Sequence, residues 1–137
     1  MGRLSDAQAN NILNVRFGGA AVTAPVTYFV ALSTTAPTNT GTNVTEPVGG
    51  AYARVGVTKN ATNFPAAAAR SISNGTAITF PAPTASWGTV THFALYDAAT
   101  AGVFCGWGAF ASGTTISSGG SAPVIPIGGL VIDSPGV

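Results

Sequence analysis

One stretch of helical periodicity opens the chain, and an alternation of apolar and polar residues replaces it further on. Ser5-Asp6-Ala7-Gln8 reads as a capping box, with the Ser5 hydroxyl placed to accept from the backbone N–H of Gln8 and the Gln8 amide placed to reach back. Leu4 and Ala9 stand where a hydrophobic staple would, and Ala9, Ile12, Leu13 and Phe17 follow helical spacing on one face. Gly18-Gly19 supplies a left-handed stop. This pattern predicts a helix over residues 5–17, its apolar face packed on the domain or on a neighbouring subunit.

After Pro25 the period becomes two. Val26, Tyr28, Val30 and Leu32 alternate with Thr27, Phe29, Ala31 and Ser33, a strand covered on both faces. A long polar segment follows, Thr34 to Gly50, of a length that points to function or to an interface. Tyr52 to Thr58 reads as a second strand, whereas residues 60–69 fit either a helical turn or an edge crossing. Asn74-Gly75 is a turn, and residues 77–80 a short strand ended by Pro81 and Pro83. Gly88 to Asp97 and Val103 to Phe110 predict a hairpin about the loop 97–102. Segments 114–116, 124–127 and 130–132 complete the count.

Many short strands separated by turns predict an all-β chain, a two-sheet sandwich or jelly-roll-like domain with one short N-terminal helix. The expected division is an N-terminal helical segment, 1–19, and a single β domain, 20–137. The 137 residues suffice for a core without disulfides or metals, and 18 glycines and 9 prolines fit the many turns.

Charge changes this picture. Only 7% of residues are charged, against roughly 25% in ordinary soluble domains. A surface so poor in charge is easiest to explain if neighbours cover much of it, which predicts a homo-oligomer. The net charge of +1 and the lack of a basic stripe argue against nucleic acid as a partner. The apolar runs fall short of the ~20 residues of a membrane helix, so no membrane partner is expected. The N-terminal residues do not read as a signal peptide, because no apolar core follows Arg3.

Candidate chemistry is sparse. Asp6, Glu46, Asp97 and Asp133 are far apart in sequence and sit at caps or turns. His92 and Cys105 could approach across the hairpin, but Val103-Phe104-Cys105-Gly106-Trp107 favours a buried, inert thiol. One Cys and one His make a poor zinc site, and the Gly-rich pieces lack a phosphate-binding lysine. No catalytic residue, metal or cofactor is expected. Trp87, Trp107, Tyr28, Tyr52 and Tyr96 fit core or interface anchors better than a sugar platform, which leaves a carbohydrate-binding module as an alternative.

The run Tyr28-Phe29-Val30-Ala31-Leu32-Ser33-Thr34-Thr35-Ala36-Pro37-Thr38 carries a resemblance, continued by Thr45-Glu46-Pro47, Gly49-Gly50 and Tyr52-Ala53-Arg54. Thr91-His92-Phe93-Ala94-Leu95-Tyr96-Asp97-Ala98 and Ile125-Pro126-Ile127-Gly128-Gly129-Leu130 extend it from about Ser5 to Ile132. The chain resembles a family of small tailed-bacteriophage virion proteins, variously described as head decoration or tail fibre proteins. The resemblance implies a non-enzymatic structural part of the virion, assembled in the bacterial host cytoplasm. Its partners would be the phage major capsid protein or other virion proteins. Small size, one domain and the absence of a repetitive shaft favour a capsid decoration (cement) protein over a tail, baseplate or fibre-associated component. The preference for a trimer comes from the pattern of phage decoration proteins alone.

Two expectations concern particular residues. Glu46 and Arg54, among the few charges present, should pair and tie the long segment to the second strand. The segment itself should lie at subunit or capsid contacts, with aromatic anchors at its rim. The candidate interface is therefore Tyr28, Pro37, Thr38, Asn39, Glu46, Tyr52, Arg54 and Trp87.

Overall fold

The hairpin read most clearly from sequence forms the centre of the structure, a computed structural model that describes residues 2–134. Strands β6 (Gly88–Tyr96) and β7 (Phe104–Ile116) pair antiparallel, with register shifts between Val90 and His92 and between Leu95 and Tyr96. The expected separate strand at 114–116 is the far end of β7, carried past the first shift.

Around this hairpin lie β1 (Gly2–Leu4), β2 (Thr27–Ser33), β3 (Val55–Thr58), β4 (Ser71–Ser73) and β9 (Val131–Asp133), in the sheet order β3-β2-β6-β7-β1-β9-β4. A separate pair, β5 (Ile78–Thr79) and β8 (Val124–Ile125), makes a second small sheet. The chain is all-β with one helix, as expected, but its two sheets are unequal. Both contribute to one core: Ile78 and Ile125 of the small sheet join Val30, Leu32, Phe93, Leu95, Cys105 and Ile132 of the large one.

Strands β1 and β4 were not foreseen. Each has three residues, too few for an alternation to register. β1 enters between β7, antiparallel, and β9, parallel. Glycine makes this possible. A Cβ on Gly2 would lie 2.5 Å from the carbonyl oxygens of both Trp107 and Val131, and one on Gly108 would lie 2.5 Å from the Phe93 ring. The expected strand over 52–58 begins only at Val55, because Tyr52 and Arg54 turn toward Glu46. Residues 60–69 form no helix; the Asn60 carboxamide oxygen accepts from the N–H groups of Thr62 and Asn63 and closes a turn instead.

The helix α1 (Asp6–Phe17) forms where its cap predicts, with the Gln8 N–H donating to the Ser5 hydroxyl at 3.2 Å. The other half of the capping box is replaced. The Ser5 N–H donates to the Cys105 carbonyl at 2.9 Å, so the Gln8 amide is released and approaches the Cys105 sulfur at 3.8 Å. The Ser5 hydroxyl also donates to the Phe104 carbonyl, and the Asp6 N–H to the Asn39 carbonyl. The helix is thus stitched down at its first turn. Gly18 keeps a right-handed conformation and Gly19, at φ 69°, supplies the left-handed stop.

Beyond that first turn the expectation of packing on the domain fails. No residue of α1 is buried, and Ile12, Leu13 and Phe17 are 52%, 55% and 81% exposed. Helical spacing identifies an apolar face but not what that face meets. Leu13→Ala is accordingly expected to change the stability of the isolated chain by less than about 0.5 kcal/mol, read from urea unfolding. A burial-sized loss would require a buried site.

Candidate assembly surface

The long segment 34–50 is built to hold its own shape. Its threonines and asparagines bond within it: the Thr34 N–H donates to the Thr45 carbonyl, the Thr35 hydroxyl to the Asn43 carbonyl, and the Asn43 amide to the Ala36 carbonyl. The Thr45 N–H donates to the Ser33 hydroxyl at the end of β2. The segment then folds back on its own sheet. Pro37 is buried, Gly41 lies against the Phe104 ring, and the Trp107 indole N–H donates to the Asn39 carboxamide at 3.1 Å.

The Glu46–Arg54 pair forms as expected, and it does more than join two stretches. The Arg54 guanidinium meets the Glu46 carboxylate at 2.7 Å, with the Arg54 side chain 10% exposed and that of Glu46 24%. Its other amino group donates to the carbonyls of Ala98 and Ala101 in the loop between β6 and β7, and its plane lies 3.6 Å from the Tyr96 ring centroid. The Tyr52 hydroxyl donates to Glu46 at 2.7 Å and accepts from the Leu32 N–H at 3.0 Å. Tyr52 also packs edge-on against Trp87, whose indole N–H donates to the Gly50 carbonyl at 2.9 Å. One cluster therefore fastens the long segment, the approach to β3 and the hairpin loop.

These contacts set the titration of the cluster. Burial acts to raise the Glu46 carboxyl, but hydrogen bonds from Arg54 and Tyr52 and the Arg54 charge outweigh it and hold the carboxyl below its usual 4.5. Burial and donation to Glu46 raise the Tyr52 hydroxyl. A carboxyl depressed in the folded state contributes stability that is complete above the unfolded value, about 4.5, and is lost as pH falls through the lower folded value. Melting temperatures measured downward from neutral pH are expected to fall through this window, and Glu46→Gln should reduce the steepness of that fall.

The candidate interface residues divide by where they sit. Trp87, at 4% exposed, and Pro37 are buried in the chain's own interior, so neither is a surface anchor or, for Trp87, a sugar platform. The functional groups of Glu46, Tyr52 and Arg54 are engaged within the chain, and Asn39 is held by Trp107. Tyr28 stacks edge-on with Phe64 and lines an apolar cavity of about 220 Å³ with Leu4, Ile72, Leu95 and Cys105. Thr38 is exposed, with Thr40, Thr42 and Val48 of the same segment. Trp107, one of the aromatic residues expected as core or interface anchors but outside the candidate interface set, is half-buried between Asn39, His92 and Arg3.

The two residues considered for catalysis are kept apart. His92 packs beside Trp107 and bonds the Thr91 hydroxyl at 2.7 Å, whereas Cys105 belongs to the core on the other side of the sheet. Burial, with a smaller contribution from the Asp97 charge, pushes the Cys105 thiol up to about 11, far from a reactive thiolate. Asp97 accepts from the Val103 N–H at 2.6 Å within its loop. Among the described residues no group of His, Cys, Asp and Glu is placed to hold a metal ion.

The fold and its surface thus define an all-β module whose polar groups fix its own loops and whose apolar residues reach solvent along α1. The chain belongs to the podophage GP4 fiber I protein gp80 family, which matches residues 3–133, and is a structural protein of the tailed-phage virion. No curated protein matches it.

Proposed function

We propose that the chain is a structural component of the fibre apparatus of a tailed phage, acting through protein–protein contacts and without catalysis. One observation carries the reading beyond the family's name: α1 is anchored at its first turn and leaves Leu13 and Phe17 in solvent, an arm suited to seating on another subunit. The test is to quantify the protein against the major capsid protein in purified particles and to locate it by antibody labelling in the electron microscope. The expected result is label at the tail, in amounts far below the capsid protein. Label over the shell in proportion to the capsid protein would overturn this reading in favour of capsid decoration. That second reading draws on one feature, the absence of a repeating shaft among the described residues.

A further inference from the structure

The large sheet encloses a space that its own side chains do not fill. Tyr28 lies on β2, next to one edge of the sheet, and Ile72 on β4, the other edge. The sheet curls until both wall the same apolar cavity of about 220 Å³. Leu95, Cys105 and Ile132, all buried, form its floor. Leu4 and Phe64 complete the walls, and the Phe64 ring stands edge-on to Tyr28. Interiors leave few voids larger than a water molecule, so an empty space of this size is unusual. Water is a poor filling, because an ordered water needs two to four polar partners and the floor and most of the walls offer none. The mouth is marked by Lys59, the one lining residue that is exposed, whose backbone N–H is held by the Val26 carbonyl at 2.8 Å. Lys59 is the only lysine of the chain and the only charged residue lining the cavity. Among the described residues the one ion pair is that of Arg54 with Glu46, so no carboxylate of the chain neutralises this ammonium.

We propose that this cavity binds a single-chain aliphatic carboxylate, with its chain over Leu95, Cys105 and Ile132 and its carboxylate at the Lys59 ammonium. The apolar floor selects the chain and the unpaired cation selects the head, the usual division of labour in a small-ligand pocket. Gln8 adds a second donor. Its amide is released from the capping box and meets only the Cys105 sulfur, at 3.8 Å, so it can turn to a carboxylate without losing a strong bond. The volume sets the length. An apolar cavity of ~150 Å³ takes a six-carbon ring, which scales to roughly nine non-hydrogen atoms here, an eight-carbon chain with its head at the mouth. A free fatty acid and the acyl chain of an anionic lipid share this chemistry. Room for one chain favours the free acid.

Calorimetric titration of octanoate into the full chain is expected to give a Kd on the order of 10–1000 µM. From butanoate to octanoate the affinity should rise about fourfold per methylene, then level off once the cavity is full. Lys59→Met keeps the length of the stem and removes the charge at an exposed position. It should weaken octanoate roughly tenfold and leave octanol unchanged, and Lys59→Arg should retain octanoate binding. Ile72→Trp should fill the space and abolish binding of both. Independently of that variant's folding, octanoate should shift the methyl resonances of Ile72, Leu95 and Ile132 in the native chain. No octanoate binding at millimolar concentration, equal affinity for octanol and octanoate, indifference to Lys59→Met, or shifts confined to residues outside the cavity would each overturn the proposal. Co-sedimentation with phosphatidylglycerol vesicles without octanoate binding would overturn it in favour of a lipid surface. The site lies on the body and is independent of the fibre reading, which tail labelling alone decides.

Discussion

Replacing Asn74 with alanine is expected to destabilise the chain by about 3–5 kcal/mol, although the residue reads in sequence as a simple turn. Asn74 is 1% exposed. Its amide donates to the carbonyls of Thr76 and Pro126 at 2.8 and 2.9 Å, and its oxygen accepts from the Leu130 N–H at 2.9 Å. Its backbone also bonds Leu130 and Gly128. This one side chain therefore joins the exit of β4 to the segment between β8 and β9. Alanine leaves the Thr76 carbonyl and the Leu130 N–H without a partner in a site closed to water, each at about 1–3 kcal/mol before relaxation, and takes from the Pro126 carbonyl one of its two donors, the other being the Gly129 N–H. Asn74→Asp should be at least as damaging, since it turns a carboxylate oxygen toward two carbonyl oxygens. Urea unfolding with an unchanged m-value measures both. A loss below about 1 kcal/mol for the alanine variant would mean that water reaches the site and replaces the amide.

The second large effect is expected at Phe93. The residue is fully buried, its ring 5.7 Å from that of Phe110 and directly beneath Gly108 of β7. Phe93→Ala should cost about 3–5 kcal/mol, the transfer of an aromatic side chain plus the cavity it leaves. Phe93→Leu should recover much of this by restoring volume. Gly108→Ala probes the same contact from above. Its methyl group meets the Phe93 ring at 2.5 Å and the Gly2 Cα at 2.7 Å, so accommodation must displace either the ring or β1. A silent Phe93→Ala variant would show that the core closes over the space.

Legibility in the sequence followed the physical reach of each signal. The hairpin β6–β7 and the helix cap were readable because alternation and capping are local. Glu46 and Arg54 could be matched because so few charges compete for them. The capping box was half right: the Ser5 N–H found the Cys105 carbonyl, a partner roughly a hundred residues away that no local rule supplies. β1 and β4 escaped because three residues paired with distant strands carry no period. The long segment looked like an interface from composition. Its Thr and Asn side chains turned out to bond mainly within it, and the sheet beneath took Pro37 and Asn39. For the candidate surface, the apolar helix was visible in sequence, but its outward orientation was not.

The placement of β1 has a consequence for timing. Residues 2–4 lie between strands that end at positions 116 and 133, and they bond in parallel to the last of these. The order of the large sheet cannot close until residue 133 has left the ribosome, so residues 2–4 must wait for a partner that is made long after them. The same strand and the Ser5 contacts with β7 aim the arm. A chain whose β1 has not paired with β7 and β9 therefore leaves α1 without its fixed direction.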